Sequence, residues 1–163
     1  LNRNKKIRDF SKGMKLKLSL AVALSHQAKL LILDEPTSGL DPVARDELLD
    51  ILLEYIENEN NSILFSTHIT SDLDKIADYL TIMNNGKIFY TGLKDELFEK
   101  YCIAKGGIED LTPDLEKRLI GIQKGNTGFS ALLDVQDIKY TSNRIVTENA
   151  TVDEILIHID KGV

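Results

Sequence analysis

The chain has 163 residues, 42% of them hydrophobic and 28% charged, and its 20 basic and 26 acidic side chains give a formal charge of −6. That length suits about one domain with a core of its own, and the acidic balance argues against a general nucleic-acid binder, which carries a basic stripe. The single cysteine, Cys102, excludes an internal disulfide and a thiolate zinc cluster.

Residues 1–8 are basic and polar, lack a start methionine and read as the middle of a longer sequence. The longest apolar runs, 20–24 and 30–33, fall far short of the ~20 residues that span a bilayer. No charged-then-apolar leader is seen, so a mixed globular, cytosolic protein without a secretory signal is expected. Ser11 can cap a helix in which Met14, Leu16, Leu18, Ala21, Val22 and Leu24 make a broad apolar surface. The run Leu30-Leu-Ile-Leu33, ending at Asp34, predicts a strand buried on both faces of a parallel sheet. Asp41 and Pro42 open the next helix as N-cap and first helical residue. Leu49, Leu52, Leu53 and Ile56 recur at helical spacing as far as the polar stretch 58–61. Ser62-Ile-Leu-Phe-Ser66 is the next strand. Residues 30–66 thus form a β-α-β unit whose strands are parallel and joined by a right-handed crossover. Asp34, Glu35 and His68 then stand just past the carboxyl ends of its strands, where open α/β sheets hold their ligands.

Further on, residues 79–83 and 87–91 flank Asn84-Asn-Gly86, a hairpin turn sequence. A short helix is expected at 93–101, and Gly106-Gly107 marks a boundary. Beyond it the pattern predicts a helix over 112–122 and an alternating strand over 132–140. Thr151-Val-Asp-Glu154 is a capping box that opens a last amphipathic helix. His26, near a helix C-terminus, and His158, on that last helix, are expected to be structural.

Four segments carry the chemistry: Phe10-Ser-Lys-Gly-Met14, Leu30-Leu-Ile-Leu-Asp-Glu-Pro36, Ser38-Gly-Leu-Asp41 and Ser66-Thr-His68. In this order and spacing, over residues 7–92, they resemble the ATP-binding subunits of ABC transporters. The resemblance implies an α/β fold: a partial P-loop NTPase (RecA-like) parallel sheet flanked by helices over residues 1–105. A small α+β extension over 106–163 is similar to those of exporter-type ATPases in drug, antibiotic or peptide efflux.

The resemblance also implies roles. Asp34, at the end of the Walker B strand, would help hold Mg²⁺, and Glu35 would act as general base on the attacking water. His68 would contact the γ-phosphate. Ser11 and Gly13, in the signature sequence at a helix N-terminus, would bind the γ-phosphate of ATP held by the opposite subunit. Asp41, in the D-loop, would cross the dimer interface. Some have a plainer reading as well: Ser11 and Asp41 as helix caps, Asp34-Glu35 as a solvated acidic turn, and His68, but for its place among these motifs, as a structural histidine. Lys12 and Met14 depart from the family pattern, which has Gly and Gln there.

A Gly-x-x-x-x-Gly-Lys-Ser/Thr loop is not found; Gly86-Lys87 is followed by Ile88 and falls in the hairpin turn. The chain is therefore expected to be the C-terminal portion of an ABC ATPase, inactive by itself, and to self-associate through strand edges left without neighbours. The parent would be an ATPase using ATP and Mg²⁺ to energise export of a small molecule or peptide through transmembrane permease subunits. It would work as a homodimer or with a paired ATPase subunit, cytoplasmic and peripheral to the inner face of the cell membrane, without nucleic acid and without membrane insertion. The alternative is a non-transport ABC-type ATPase of the translation-factor or chromosome-maintenance type, acting on nucleic acid or protein. The acidic balance and the lack of long heptads or a basic linker disfavour it. A third reading is a dimerisation or regulatory fragment with no activity of its own.

Overall fold

The computed structural model describes residues 6–162, which divide into two compact units, one ending at Ile76 and the other starting at Ala77. In the first, helix α1 (Lys12–Ser25) begins at Ser11, whose Oγ accepts from the Met14 N–H at 3.2 Å. Strand β1 (Leu30–Asp34) follows, then α2 (Pro42–Ile56), β2 (Ser62–Ser66) and α3 (Thr70–Ile76). Asp41 caps α2 by accepting from the Ala44 N–H at 3.0 Å, with Pro42 at the first turn, where its missing N–H has no cost. β1 and β2 are parallel, in register from Leu30↔Ser62 to Asp34↔Ser66.

Leu20 of α1, Leu31 of β1, Leu48, Leu49 and Leu52 of α2 and Ile76 of α3 form the core of this unit. Leu33, Ile63 and Phe65 pack against them from the same face of the strand pair. The other face differs from the expectation of a strand buried on both sides. Leu30 is 52%, Ile32 71% and Leu64 61% exposed. The reason is the period of two along a strand: the helices cover only the face that carries Leu31, so alternate residues meet no second layer.

In the second unit, β3 (Tyr79–Asn84) and β4 (Lys87–Leu93) form the expected hairpin. Asn85 and Gly86 both have positive φ (48° and 73°), as its two-residue turn requires. Helix α4 (Lys94–Lys100) leads into β5 (Tyr101–Gly106), which pairs antiparallel with β7 (Phe129–Asp134) and β8 (Val146–Asn149). With β6 (Leu119–Lys124) the order is β6-β7-β5-β8. Residues up to Gly106 are thereby tied to strands that follow them in sequence. Cys102, Ala104, Leu115, Leu119, Phe129, Ala131, Leu133 and Ile145 form a core.

Two elements differ from the sequence expectation. The helix expected over 112–122 is a single turn, α5 (Pro113–Glu116), capped by Thr112, and residues 119–124 are strand. Gly121 has φ +60°, in an irregularity of the β6–β7 register between Ile120 and Gln123; such a glycine interrupts a helix but suits a bulge. The strand expected over 132–140 stops at Asp134, whose carboxylate accepts from the Gln136 N–H at 2.9 Å and starts a 3-10 helix, Val135–Tyr140. Arg118 fixes that helix: Nη1 donates to Asp137 at 3.0 Å, and the guanidinium lies 3.6 Å from the centre of the Tyr140 ring. The capping box is as expected, with Thr151 and Glu154 at the start of α6 (Val152–Lys161). His158 is buried on α6, its Nδ1 2.7 Å from the Gly121 carbonyl and its Nε2 3.3 Å from Ser130 Oγ, and His26 is the C-cap of α1. No helix among the described residues is long and apolar enough to cross a membrane.

Candidate functional site

The parallel register puts Asp34 and Ser66 side by side at the last step of the β1–β2 ladder. Ser66 Oγ donates to Asp34 Oδ1 at 2.6 Å and accepts from the Glu35 N–H at 3.0 Å; the same N–H lies 3.2 Å from the Ser66 carbonyl. One serine thus organises both acidic residues. Glu35 turns the chain sharply, with φ 46°, a left-handed conformation that costs a non-glycine residue about 1–2 kcal/mol. The turn brings Glu35 Oε2 to 2.7 Å from Nδ1 of His68, which stands two residues beyond β2. Both side chains reach solvent, the imidazole 69% and the carboxylate 36% exposed, so the pair adds at most about 1 kcal/mol to stability. With Nδ1–H donating to the carboxylate, Nε2 has no partner among the described residues and is available to a ligand.

Ser11, Gly13 and Asp41 form a second group. A Cβ on Gly13 would lie 3.7 Å from Leu40 Cδ2 and 3.7 Å from Ala44 Cβ, so the start of α1 packs on the segment that Asp41 caps. Gly39, at φ +68°, has the Lys12 ammonium against it; a Cβ there would lie 2.5 Å from Nζ. No hydrogen bond or ion pair among the described residues joins this group to Asp34, Glu35 and His68.

A buried network that the sequence reading missed lies behind the first group. Asp72, on α3, is 0% exposed. Its carboxylate accepts from Thr37 Oγ1 and from Arg45 Nε, each at 2.5 Å, with Thr67 Oγ1 at 3.5 Å. Arg45 also donates through Nη2 to Ser71 Oγ. In the sequence these are a threonine and two charges that look like solvated turns and helix faces. The one available signal is spacing: Arg45 follows Asp41, and Asp72 follows His68, by one helical turn. On the outer side Lys75 donates to Asp46 at 2.6 Å and Asp50 at 2.7 Å, and those bonds, Asp46 first, push its pKa up.

No three His, Cys, Asp or Glu side chains among the described residues converge as a metal cage. A single strand-end carboxylate with one oxygen held by Ser66 nevertheless fits Mg²⁺, which takes one or two carboxylates and completes its shell with phosphates and water.

The chain has an α/β fold resembling ABC ATPase domains. A family described as "AAA domain, putative AbiEii toxin, Type IV TA system" matches residues 3–73. The ABC transporter ATP-binding protein YxlF of Bacillus subtilis (strain 168) is 46% identical over 94 residues, 58% of this chain and 31% of that protein. The lantibiotic transport ATP-binding protein SrtF of Streptococcus pyogenes is 43% identical over 103 residues, 60% of this chain and 44% of that protein. The solved structure of cbiO1 from Clostridium perfringens, described as part of the ABC transporter complex cbiONQ, is 32% identical with a TM-score of 0.50. It covers 56% of this chain and 36% of that one. Relatives and structural neighbours thus agree that the chain is similar to ABC transporter ATP-binding domains, and it spans less than half the length of these relatives.

Proposed function

We propose that this chain supplies the catalytic rim of an ATP-hydrolysing ABC subunit that drives export of a small molecule or peptide. The observation that carries the reading is the contact between His68 and Glu35 beside Asp34, at the C-terminal end of a parallel strand pair. Glu35 takes a proton from the attacking water through its carboxylate. His68 steadies that carboxylate through Nδ1 and offers Nε2 toward the terminal phosphate. Mg²⁺ bound at Asp34 would neutralise charge on the phosphates. Ser11 and Gly13 offer a hydroxyl and backbone amides at a helix start, a polarity suited to phosphate. Asp41 caps α2 beside them, on the side where a second subunit would meet this one.

Residues 1–105 would be the ABC-type portion and 106–163 an accessory extension, a division by resemblance rather than by packing unit. A phosphate-cradling loop would come from polypeptide other than these residues, so the chain alone is expected to be inactive. SrtF is named for lantibiotic transport and cbiO1 is described as part of a transporter complex, which supports a role in transport with partner subunits; export through transmembrane permeases is the direction and partnership proposed for it. That association would hold the protein at the inner face of the membrane.

The test is a chimera in which this chain's matching residues replace those of YxlF. It should hydrolyse ATP with Mg²⁺, and Glu35→Gln should lower kcat at least about 100-fold, as loss of a general base does. A chimera that hydrolyses ATP equally well with Glu35→Gln would overturn the reading. Separately, a nucleotide titration of the unmodified chain should show no tight site; submillimolar ATP binding would contradict the expected dependence on another segment.

A further inference from the structure

We infer that Asp72, with Arg45 and Thr37, is a positioning centre that sets the Glu35–His68 contact from behind. Its carboxylate is fully buried, and burying a charge is costly unless it is paired and hydrogen-bonded. Here the engagement runs across three segments. Thr37, two residues after Glu35, donates to Oδ2; Arg45, in the first turns of α2, donates to Oδ1; Thr67, next to His68, lies 3.5 Å from Oδ2. Thr67 Oγ1 also accepts from the Ile69 N–H at 3.0 Å, and the Asp72 N–H donates to the Ile69 carbonyl at 3.0 Å, so the loop carrying His68 is folded onto the first turn of α3. Arg45 in turn holds α3 through Ser71 and starts the helix that Asp41 caps, its N–H donating to the Asp41 carbonyl at 3.0 Å.

The Glu35 N–H is held by Ser66, but the side chains of Glu35 and His68 are exposed and joined by one weak pair, which alone would not fix their orientation. The buried ion pair fixes the bases of both loops, because its geometry is over-determined by hydroxyl and guanidinium donors. Among the described residues no hydrogen bond or ion pair joins Asp72 to Glu35 or His68, and it acts through Thr37 and Thr67. The inference rests on the Glu35–His68 pair of the proposed site but needs no nucleotide. Failure of the YxlF chimera to hydrolyse ATP would therefore sink the catalytic reading and leave this one standing.

The test is a coupling cycle read by the ring nitrogen resonances of His68 in the intact chain, with no ligand. Glu35→Gln should shift the His68 Nδ1 resonance in the native background. In Asp72→Asn and in Thr37→Val that response should fall by about threefold or more, the coupling expected of residues in one network. Thr37→Ser, which keeps the donor, should retain the full response. The backbone amides of α2 report that the first unit is folded, and Thr37→Val, which leaves the Asp72–Arg45 pair intact, decides the matter if Asp72→Asn does not fold. A full-sized response in folded Asp72→Asn or Thr37→Val overturns the inference. So does unfolding of both, which marks a purely structural role, and so does a His68 signal indifferent to Glu35→Gln in the native chain.

Discussion

Gly121 offers a test in which the geometry separates two costs that usually travel together. It has φ +60°, and a Cβ built on it would lie 1.8 Å from the His158 carbonyl oxygen and 2.5 Å from its carbon, both backbone atoms of α6. A tolerable carbon–oxygen separation is about 3.3 Å, so Gly121→Ala requires α6 and β6 to part by about 1.5 Å. That movement loosens Val152, Ile155 and Ile159, which α6 buries, and strains the His158 Nδ1 bond to the Gly121 carbonyl. Gly86 is the control: it has φ +73° in the same unit, yet a Cβ there meets nothing within 4 Å. Gly86→Ala should cost only the left-handed penalty, about 1–2 kcal/mol, whereas Gly121→Ala adds an overpacking cost and should reach about 3–5 kcal/mol. Equilibrium urea denaturation followed by the His158 ring resonance reads both. Equal destabilisation by the two substitutions would refute the close approach of α6 to β6.

Asp41→Ala should lower the stability of the first unit by about 1 kcal/mol without any nucleotide, because it removes the cap on Ala44, while Asp41→Asn, which keeps an acceptor, should cost far less. Thermal unfolding of the two variants checks this, and an Asp41→Ala variant as stable as the native chain would contradict it. Cys102 is 7% exposed, and its thiol pKa is pushed up by burial and, secondarily, by the charge of Asp134. Alkylation by iodoacetamide at neutral pH should therefore be at least about tenfold slower in the folded chain than in urea. The sign of the accompanying stability effect follows: the folded chain holds the thiol proton more tightly, so this contribution is complete below the ordinary thiol range and is lost as pH rises through the raised value. A native alkylation rate equal to the unfolded one would exclude the burial.

Much of the local structure was legible because it depends on neighbours in sequence. Ser11, Asp41-Pro42, Asn84-Asn-Gly86 and Thr151-Val-Asp-Glu154 each solve a problem of backbone hydrogen bonding or φ within three or four residues, and each does what its chemistry predicts. The strand–helix–strand spacing likewise put Asp34 and the His68 loop at one end of a parallel pair. What was not legible depends on partners far along the chain. The segment 119–124 is a strand because β7 pairs with it and Gly121 tolerates the bulge, and Val135–Tyr140 coils because Arg118 holds Asp137 and Tyr140.

Asp72 is the sharpest case of that division. By itself an aspartate in an acidic stretch reads as solvated; only packing that brings Thr37 and Arg45 to it, 35 and 27 positions away, makes it a buried charge with each oxygen holding a donor. Residue order alone determined which groups can cap, turn and alternate, since those effects act over a few bonds. Tertiary structure decided which faces are covered and which carboxylate is buried, because desolvation depends on whatever surrounds a group, however far away it lies in the sequence.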